Sequence, residues 1–146
     1  MTTPDRAVVR RKLAVIVRDL RELEDLAHTP LDAYLADLRT RKLTERFLHE
    51  AIEAAIDVNR HLARASGGRP VDDNHASFRR MAELGVLPRD LAEGLVRAAG
   101  LRNHLVHEYD TLDDALVLES AAMAVDRLPR YVAAVEAYLS RDAPDL

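Results

Sequence analysis

The sequence predicts an all-α fold, an up-and-down helical bundle with a four-helix core and short extra helices. Apolar residues recur at the 3.6-residue spacing of a helix along most of the chain. Ala, Leu and Arg, which favour helices, are the commonest residues, while 5 Gly, 6 Pro, 4 Tyr, 2 Phe and no Trp are few for a many-turned β fold. We expect the 146 residues to form a single domain over 1–146 with a frayed tail at 141–146.

The first two helices are predicted from their start signals. Thr3, followed by a proline that fits a first helical turn, can cap a helix over about 4–27. Thr29, again before a proline, begins a short second helix that ends near Arg39. The apolar side of the second helix, which we expect to be buried, comprises Leu31, Leu35 and Leu38.

A long third helix over roughly 41–65 can be capped by Thr40 and ends at Gly67 and Gly68. A loop over 69–74 follows, since this stretch combines a proline with Asp and Asn. The apolar spacing places one stripe of the third helix in the core. That stripe comprises Leu43, Phe47, Leu48, Ala51, Ala55, Val58 and Leu62.

Three more helices complete the bundle. The fourth begins at Asn74 and ends at Gly85, and the fifth begins at Pro88 and runs through Gly100 into the segment 102–109. Asp113 can cap the last helix, over about 114–140. Pro129 lies inside that helix, where it removes a backbone hydrogen bond and is expected to cause a kink.

Composition excludes several classes of function. The chain has no Cys, so it has no disulfide, thiol nucleophile or Cys-ligated metal, which also fits a reducing compartment. The net charge of −4 excludes nucleic-acid binding by bulk charge, so such binding would need a local basic site. No apolar run is long enough for a membrane span and the first residues are no signal peptide, so we expect a cytoplasmic protein without a membrane contact.

Packing does not explain the polar segment at the end of the fifth helix, which comprises Arg102, Asn103, His104, His107 and Tyr109. Arginine, imidazole and phenol are groups that can bind and cleave a phosphodiester without a metal ion or cofactor. Imidazole moves protons near neutral pH, and guanidinium holds a phosphate with two parallel hydrogen bonds. Arg102 and His107 are five residues apart, roughly 140° around a helix. Either the helix distorts, or a second copy completes the site.

Structural interpretations of the same residues stay open. His107 is also suited to a helix C-terminus, where the dipole favours a cation. His104 and His107 are a weak metal signal because no third ligand is evident, so we predict no metal site. Asp57 either forms an i,i+4 pair with His61 or lies across from the fifth helix and orients His107 or Arg102. Short basic clusters at 10–12 and 79–80 either track an RNA backbone or form solvated faces.

The segment RNHLVHEY, preceded by Gly100 and followed by Asp110, resembles the Arg-X4-His-X-Tyr motif of HepT-like toxins, a branch of the HEPN superfamily. The resemblance extends to the first helix, LDAYLADL, AIEAAIDVNRHL and GVLPRDLAEGLVRAAG. It implies a metal-independent endoribonuclease that acts as a homodimer, with both motifs lining the cleft. The family's Arg falls on Arg102, its catalytic His on His107 and its Tyr on Tyr109, with Asn103 as the polar residue after the Arg.

The resemblance also implies a partner and a control mechanism. HepT-like proteins pair with a small MntA-like nucleotidyltransferase that acts as the antitoxin and transfers AMP from ATP to the motif tyrosine, here Tyr109. A bulky anion two residues from His107 would block the cleft and repel RNA phosphates. His104 and Leu101 depart from the usual pattern; His104 is a second proton-transfer group, an RNA contact or a tolerated surface residue.

Two other interpretations of the chain remain open at this stage. One is a non-catalytic helical subunit that presents substrate or nucleotide to a nucleotidyltransferase, which would not need the Arg102 and His107 pair. The other is a purely structural dimerisation bundle, in which the motif is a coincidence. The intact trio of Arg102, His107 and Tyr109 favours the ribonuclease toxin over both.

Overall fold

The computed structural model describes residues 3–107 and 113–141, leaving out the side chains of Ala99 and of residues 101–107. The described residues form helices and connections and contain no strand, which confirms the predicted all-α fold. The helices are α1 (Arg6–Ala27), α2 (Leu31–Ala36), α3 (Leu38–Ala65), α4 (Asn74–Glu83), α5 (Arg89–His107) and α6 (Asp114–Arg141).

Helix α3 is the centre of the bundle. It packs against every other helix, while α1 also lies on α6, and α5 lies on both α4 and α6. The apolar stripes of these helices meet in one continuous core, whose largest side chains include Ile16, Leu48, Leu62, Phe78 and Leu128. Within the described ranges, no helix is both long and apolar enough to cross a bilayer.

Aspartates, rather than the predicted threonines, begin the first and third helices. Asp5 caps α1, and its Oδ1 accepts a hydrogen bond of 3.2 Å from the backbone N–H of Val8. Asp37 caps α3 and accepts from the N–H of Arg39 at 3.0 Å and from the hydroxyl of Thr40 at 3.0 Å. The predictions of Thr3 and Thr40 as caps are therefore wrong, because each aspartate lies nearer to the unpaired N–H groups of the first turn.

The leucines of the predicted second helix, which we expected to be buried, are exposed. Leu31, Leu35 and Leu38 are 46%, 47% and 59% exposed, whereas Tyr34 is fully buried. A helix of only six residues turns about one side chain per turn inward, and the larger tyrosine takes that place. Leu43 of the predicted α3 stripe is also on the surface, at 38% exposure.

Helix α6 begins where the sequence predicts. Oδ1 of Asp113 accepts hydrogen bonds from the backbone N–H groups of Ala115 and Leu116, at 3.0 and 3.2 Å. The helix continues on both sides of Pro129, which is exposed. The kink at this proline stays a prediction.

A buried polar network joins α3, α4 and α6. The hydroxyl of Tyr131 donates to Oδ1 of Asn59, whose Nδ2 donates to Oγ of Ser77 at 3.1 Å. That Ser77 hydroxyl in turn donates to the backbone carbonyl of Asn74 at 2.9 Å. The first turn of α4 is thereby held at a fixed place against α3. This turn lies beside α5, the helix that contains residues 102–107 of the motif, and we call α5 the motif helix.

Candidate active site

The predicted catalytic segment lies in the last two turns of α5. Arg102, Asn103, His104 and His107 are helical, and α5 extends to His107. The side chains of these four residues, and the whole of Tyr109, lie outside the described part of the structure. With helical backbone from 102 to 107, the two predicted catalytic positions point in directions roughly 140° apart.

Gly100 shows which part of the bundle this segment approaches. A Cβ placed on Gly100 would lie 3.3 Å from Nε2 of His75, so the imidazole packs directly on the backbone of α5. Positions 100, 104 and 107 follow the i, i+4, i+7 spacing and share one face of the helix. His75, from the first turn of α4, therefore lies on the same side of α5 as the positions of His104 and His107.

Arg60 connects this turn to the middle of the bundle. Its Nη2 donates a hydrogen bond of 3.0 Å to Oδ1 of Asn74, the residue before His75. Nε of Arg60 is buried and has no hydrogen-bond partner in the described part of the chain. Neither Arg60 nor His75 was predicted as a site residue. A glycine inside a helix often marks a close packing contact, so Gly100 could have indicated that a side chain packs on α5 there, although not which one.

Asp57 and His61 do not pair with each other as the simpler prediction proposed. Oδ2 of Asp57 accepts from Nζ of Lys12 at 3.1 Å, and Nε2 of His61 accepts from the backbone N–H of Asp5 at 3.0 Å. Both side chains thus reach across to α1, because a partner on a neighbouring helix competes with one on the same helix. The contact of Asp57 with Arg102 or His107 stays a prediction.

A groove between α1 and α3 holds two adjoining cavities of about 340 Å³ each, which share Lys12 and Asp57. The cavity nearer the start of α4 also includes Arg60, His61 and Arg64, and we call it the Arg60 cavity. The other also includes Arg18, Arg46, His49, Glu50 and Glu53.

Asp19 is a buried carboxyl beside the groove, on the inner face of α1. The pKa of Asp19 is raised to about 6, mainly by burial and then by the nearby carboxylate of Glu50, against the opposing effect of Arg18. Arg18 contacts both carboxylates. This cluster was missed in the sequence, because its three members lie on two helices and no local spacing links them.

The predicted basic clusters are mostly engaged in ion pairs. Arg10 pairs with Glu136 at 3.6 Å, and Arg79 binds Glu93 through two contacts of 2.9 and 3.2 Å. Glu93 holds the pKa of Arg79 above its ordinary value, mainly through this hydrogen bond. These pairs support the interpretation of solvated faces. In the ranges that the structure describes, no three His, Asp or Glu side chains are grouped as metal ligands.

The chain is a small all-α protein, a helical bundle in which one helix ends in a segment that contains arginine and histidine. Comparisons with known proteins identify the family of this chain. The family Ribonuclease HepT-like matches residues 16–135. A protein from Aphanizomenon flos-aquae described as tRNA nuclease HepT is 34% identical over 143 residues, covering 95% of each chain. This chain belongs to the HepT-like ribonuclease family.

More distant relatives share the fold. A protein from Shewanella oneidensis described as mRNA nuclease HepT is 21% identical over 130 residues, covering 89% of this chain and 97% of that protein. The solved structure of a tri-AMPylated Shewanella oneidensis HEPN toxin in complex with an MNT antitoxin superposes with a TM-score of 0.79. It is 21% identical and covers 89% of this chain and 97% of that one, so it supports the fold alone.

Proposed function

We propose that this chain is the toxin of a toxin–antitoxin pair, a metal-independent endoribonuclease that cleaves RNA through Arg102 and His107. The observation that carries the proposal is the family membership together with the position of both residues in the last two turns of α5. Imidazole and guanidinium are sufficient for this chemistry, since the 2′-hydroxyl of RNA supplies the nucleophile.

In the proposed reaction His107 takes the proton of the ribose 2′-hydroxyl or gives a proton to the leaving 5′-oxygen, and a water molecule makes the other of these two proton transfers. The 2′-oxygen forms a bond to phosphorus while the bond to the 5′-oxygen breaks. The products carry a 2′,3′-cyclic phosphate, or a 3′-phosphate after hydrolysis, and a free 5′-hydroxyl. Arg102 holds the phosphate and stabilises the additional negative charge of the transition state.

The proposed active form is a homodimer. One straight helix directs positions 102 and 107 about 140° apart, so one α5 does not aim both groups at a single phosphorus. Two copies of α5 facing each other supply Arg102 from one protomer and His107 from its partner. Asn103, His104 and Asp57 are proposed as supporting or RNA-binding groups of that cleft.

The proposed control is AMP transfer to Tyr109 by an MntA-like nucleotidyltransferase antitoxin. The phenol oxygen attacks the α-phosphorus of ATP, pyrophosphate leaves, and the phenol proton is released. A solved AMPylated toxin that shares the fold of this chain is in complex with an MNT antitoxin, which is why we propose a partner of this kind. An anionic group two positions from His107 would exclude RNA by bulk and by charge.

The test compares wild type with His107→Ala, both purified without the antitoxin and incubated with RNA in excess EDTA. We expect wild type to cut and His107→Ala to be inactive. Cleavage of tRNA and of mRNA is measured separately to find which RNA is the substrate, since the two relatives are described as nucleases of different RNAs. If wild type is inactive, its intact mass is measured: added AMP means silencing, whereas an unmodified inactive protein supports a non-catalytic subunit of a nucleotidyltransferase.

A further inference from the structure

The guanidinium of Arg60 lies where α1, α3 and α4 come together. One end of it is fixed by the 3.0 Å hydrogen bond from Nη2 to Asn74. Its Nε is buried and has no hydrogen-bond partner among the described residues, and Arg60 is one of the residues that line the adjoining cavity. A guanidinium has further N–H donors on its terminal nitrogens, which can bind an oxygen-rich ligand in this cavity.

The charges around the Arg60 cavity favour an anion. Its one carboxylate, Asp57, is already bound by Lys12 at 3.1 Å. Among the described residues, neither Arg60 nor Arg64 forms an ion pair with a carboxylate. Both line a cavity of about 340 Å³, and guanidinium matches phosphate geometry with paired donors.

The cavity is linked to the motif helix through two consecutive residues. Arg60 binds Asn74, and the next residue, His75, packs on Gly100 of α5. His75 lies about 10 Å along the helix from position 107, on the same face. A nucleic acid strand bound at the motif face of α5 would thus have His75 and then the Arg60 cavity beside it.

We propose that the Arg60 cavity is a binding subsite for a backbone phosphate of the RNA substrate, separated by His75 from the phosphate that is cleaved. Arg60 and Arg64 bind the phosphate oxygens, and His75 lines the path between this subsite and the cleavage site. The subsite contributes to RNA binding and not to the chemical step. This inference rests on the proposed ribonuclease function.

The test measures RNA binding as a function of salt, using the intact chain in the inactive His107→Ala background and a single-stranded RNA. Each lost phosphate contact lowers the slope of log K against log salt by about 0.7. Arg60→Gln combined with Arg64→Gln is expected to lower the slope by roughly 0.7 and to weaken binding. In the active protein the same pair of changes raises KM and leaves kcat near the wild-type value.

The matched control removes two arginines from a comparable groove. Arg10 and Arg21 line a cavity of about 390 Å³ between α1 and α6. Arg10→Gln with Arg21→Gln makes the same change in net charge and is expected to leave the slope unchanged. Arg60→Lys keeps a cation and is expected to retain most of the slope. This variant distinguishes the effect of losing the positive charge from the effect of losing the packing of the side chain. Arg64→Gln alone changes an exposed residue, so it keeps the fold and must lower the slope by itself.

The outcomes separate this subsite from the proposed function. If wild type cuts RNA but the Arg60 and Arg64 variants keep the wild-type slope, the subsite is wrong and the ribonuclease function stands. The same holds if the Arg10 and Arg21 control loses as much slope. If both proteins are free of added AMP by intact mass, and the inactive variant binds no RNA while wild type cuts none, both proposals are wrong. Loss of antitoxin binding with unchanged RNA binding would assign the cavity to a protein partner instead.

Discussion

The hydroxyl of Tyr131 on α6 lies 2.6 Å from Oδ1 of Asn59 on α3 and also within 3.0 Å of the carbonyl of Ala55. All of these atoms are buried, and burial raises the pKa of Tyr131 well above that of a free phenol. Because Asn59 binds Ser77 in turn, one hydrogen-bonded chain fixes α3, α4 and α6 relative to each other. The position of His75, two residues before Ser77, depends on this chain.

Tyr131→Phe is expected to destabilise the fold by about 1–3 kcal/mol, because Oδ1 of Asn59 would be left buried without its donor. The edge-to-face contact of the ring with Phe78, at 6.0 Å between centroids, would be kept. Urea unfolding measures the change. The matched control is Tyr138→Phe, since Tyr138 is only partly buried and packs beside Arg141 through its ring. Equal effects of the two substitutions would contradict the role of the network.

Asp19→Asn is expected to stabilise the protein above pH 6. The folded-state pKa of Asp19, about 6, is above its ordinary 3.8, so the unfolded chain releases this proton first as pH rises. The contribution of Asp19 to stability therefore falls between pH 4 and 6, and at pH 7.5 the wild type is less stable than Asp19→Asn by on the order of 1–2 kcal/mol. The difference should shrink towards pH 4. Unfolding free energies at several pH values measure it.

The pKa of Asp37 is shifted in the opposite direction to that of Asp19, so the two residues are expected to have opposite effects on the pH dependence of stability. The hydroxyl and backbone N–H of Thr40 lower the pKa of Asp37, so this group stabilises the folded state when ionised. That contribution is present above pH 4 and is lost as pH falls through the lowered pKa. The free energy of unfolding of Asp37→Asn should therefore fall less on acidification than that of the wild type. A profile for Asp37→Asn with the same sign as Asp19→Asn would argue against both assignments.

Gly100→Ala tests the contact between α5 and His75. Alanine in a helix interior is favoured over glycine by about 1 kcal/mol, but a Cβ here would lie 3.3 Å from Nε2 of His75. We expect Gly100→Ala to give no gain in stability when His75 is present, and to stabilise the protein when His75 is also changed to Ala. A double-mutant cycle of unfolding free energies measures this coupling. Additive effects would show that the two residues do not restrict each other.

Leu38→Ala is expected to change stability by no more than about 0.5 kcal/mol, because Leu38 is 59% exposed. The same substitution at fully buried Leu48 is expected to cost about 2–5 kcal/mol. Thermal or urea unfolding of the two variants gives the comparison. A large loss at Leu38 would mean that this first residue of α3 is covered in solution.

Hydrophobic spacing was sufficient to predict the long helices. The recurrence of apolar residues every 3.6 positions predicted the long helices, and Asp113 was recognised as the cap of α6. Each of these signals lies within a few consecutive residues of the sequence. The short helix α2 was harder. Its leucines fit a buried stripe equally well, and only packing of the whole bundle selects Tyr34 instead.

Long-range partners account for what the sequence did not show. Asp57 has a plausible partner four residues away, yet it binds Lys12, 45 residues earlier in the chain. His75 has no local feature of a site residue, and it meets Gly100 only because α4 and α5 pack side by side. Local spacing carries no information about such pairs. The motif at 102–109 was recognisable because its residues are contiguous.

The double role of Asp37 limits how the length of the chain can vary among related proteins. Its backbone N–H bonds to Tyr34 to end α2, and its side chain begins α3. An inserted residue would separate these two tasks and leave one helix end without its partner. Insertions and deletions should therefore be rare at this corner and accumulate in the connection over 66–73, which makes the latter the better place to insert a tag.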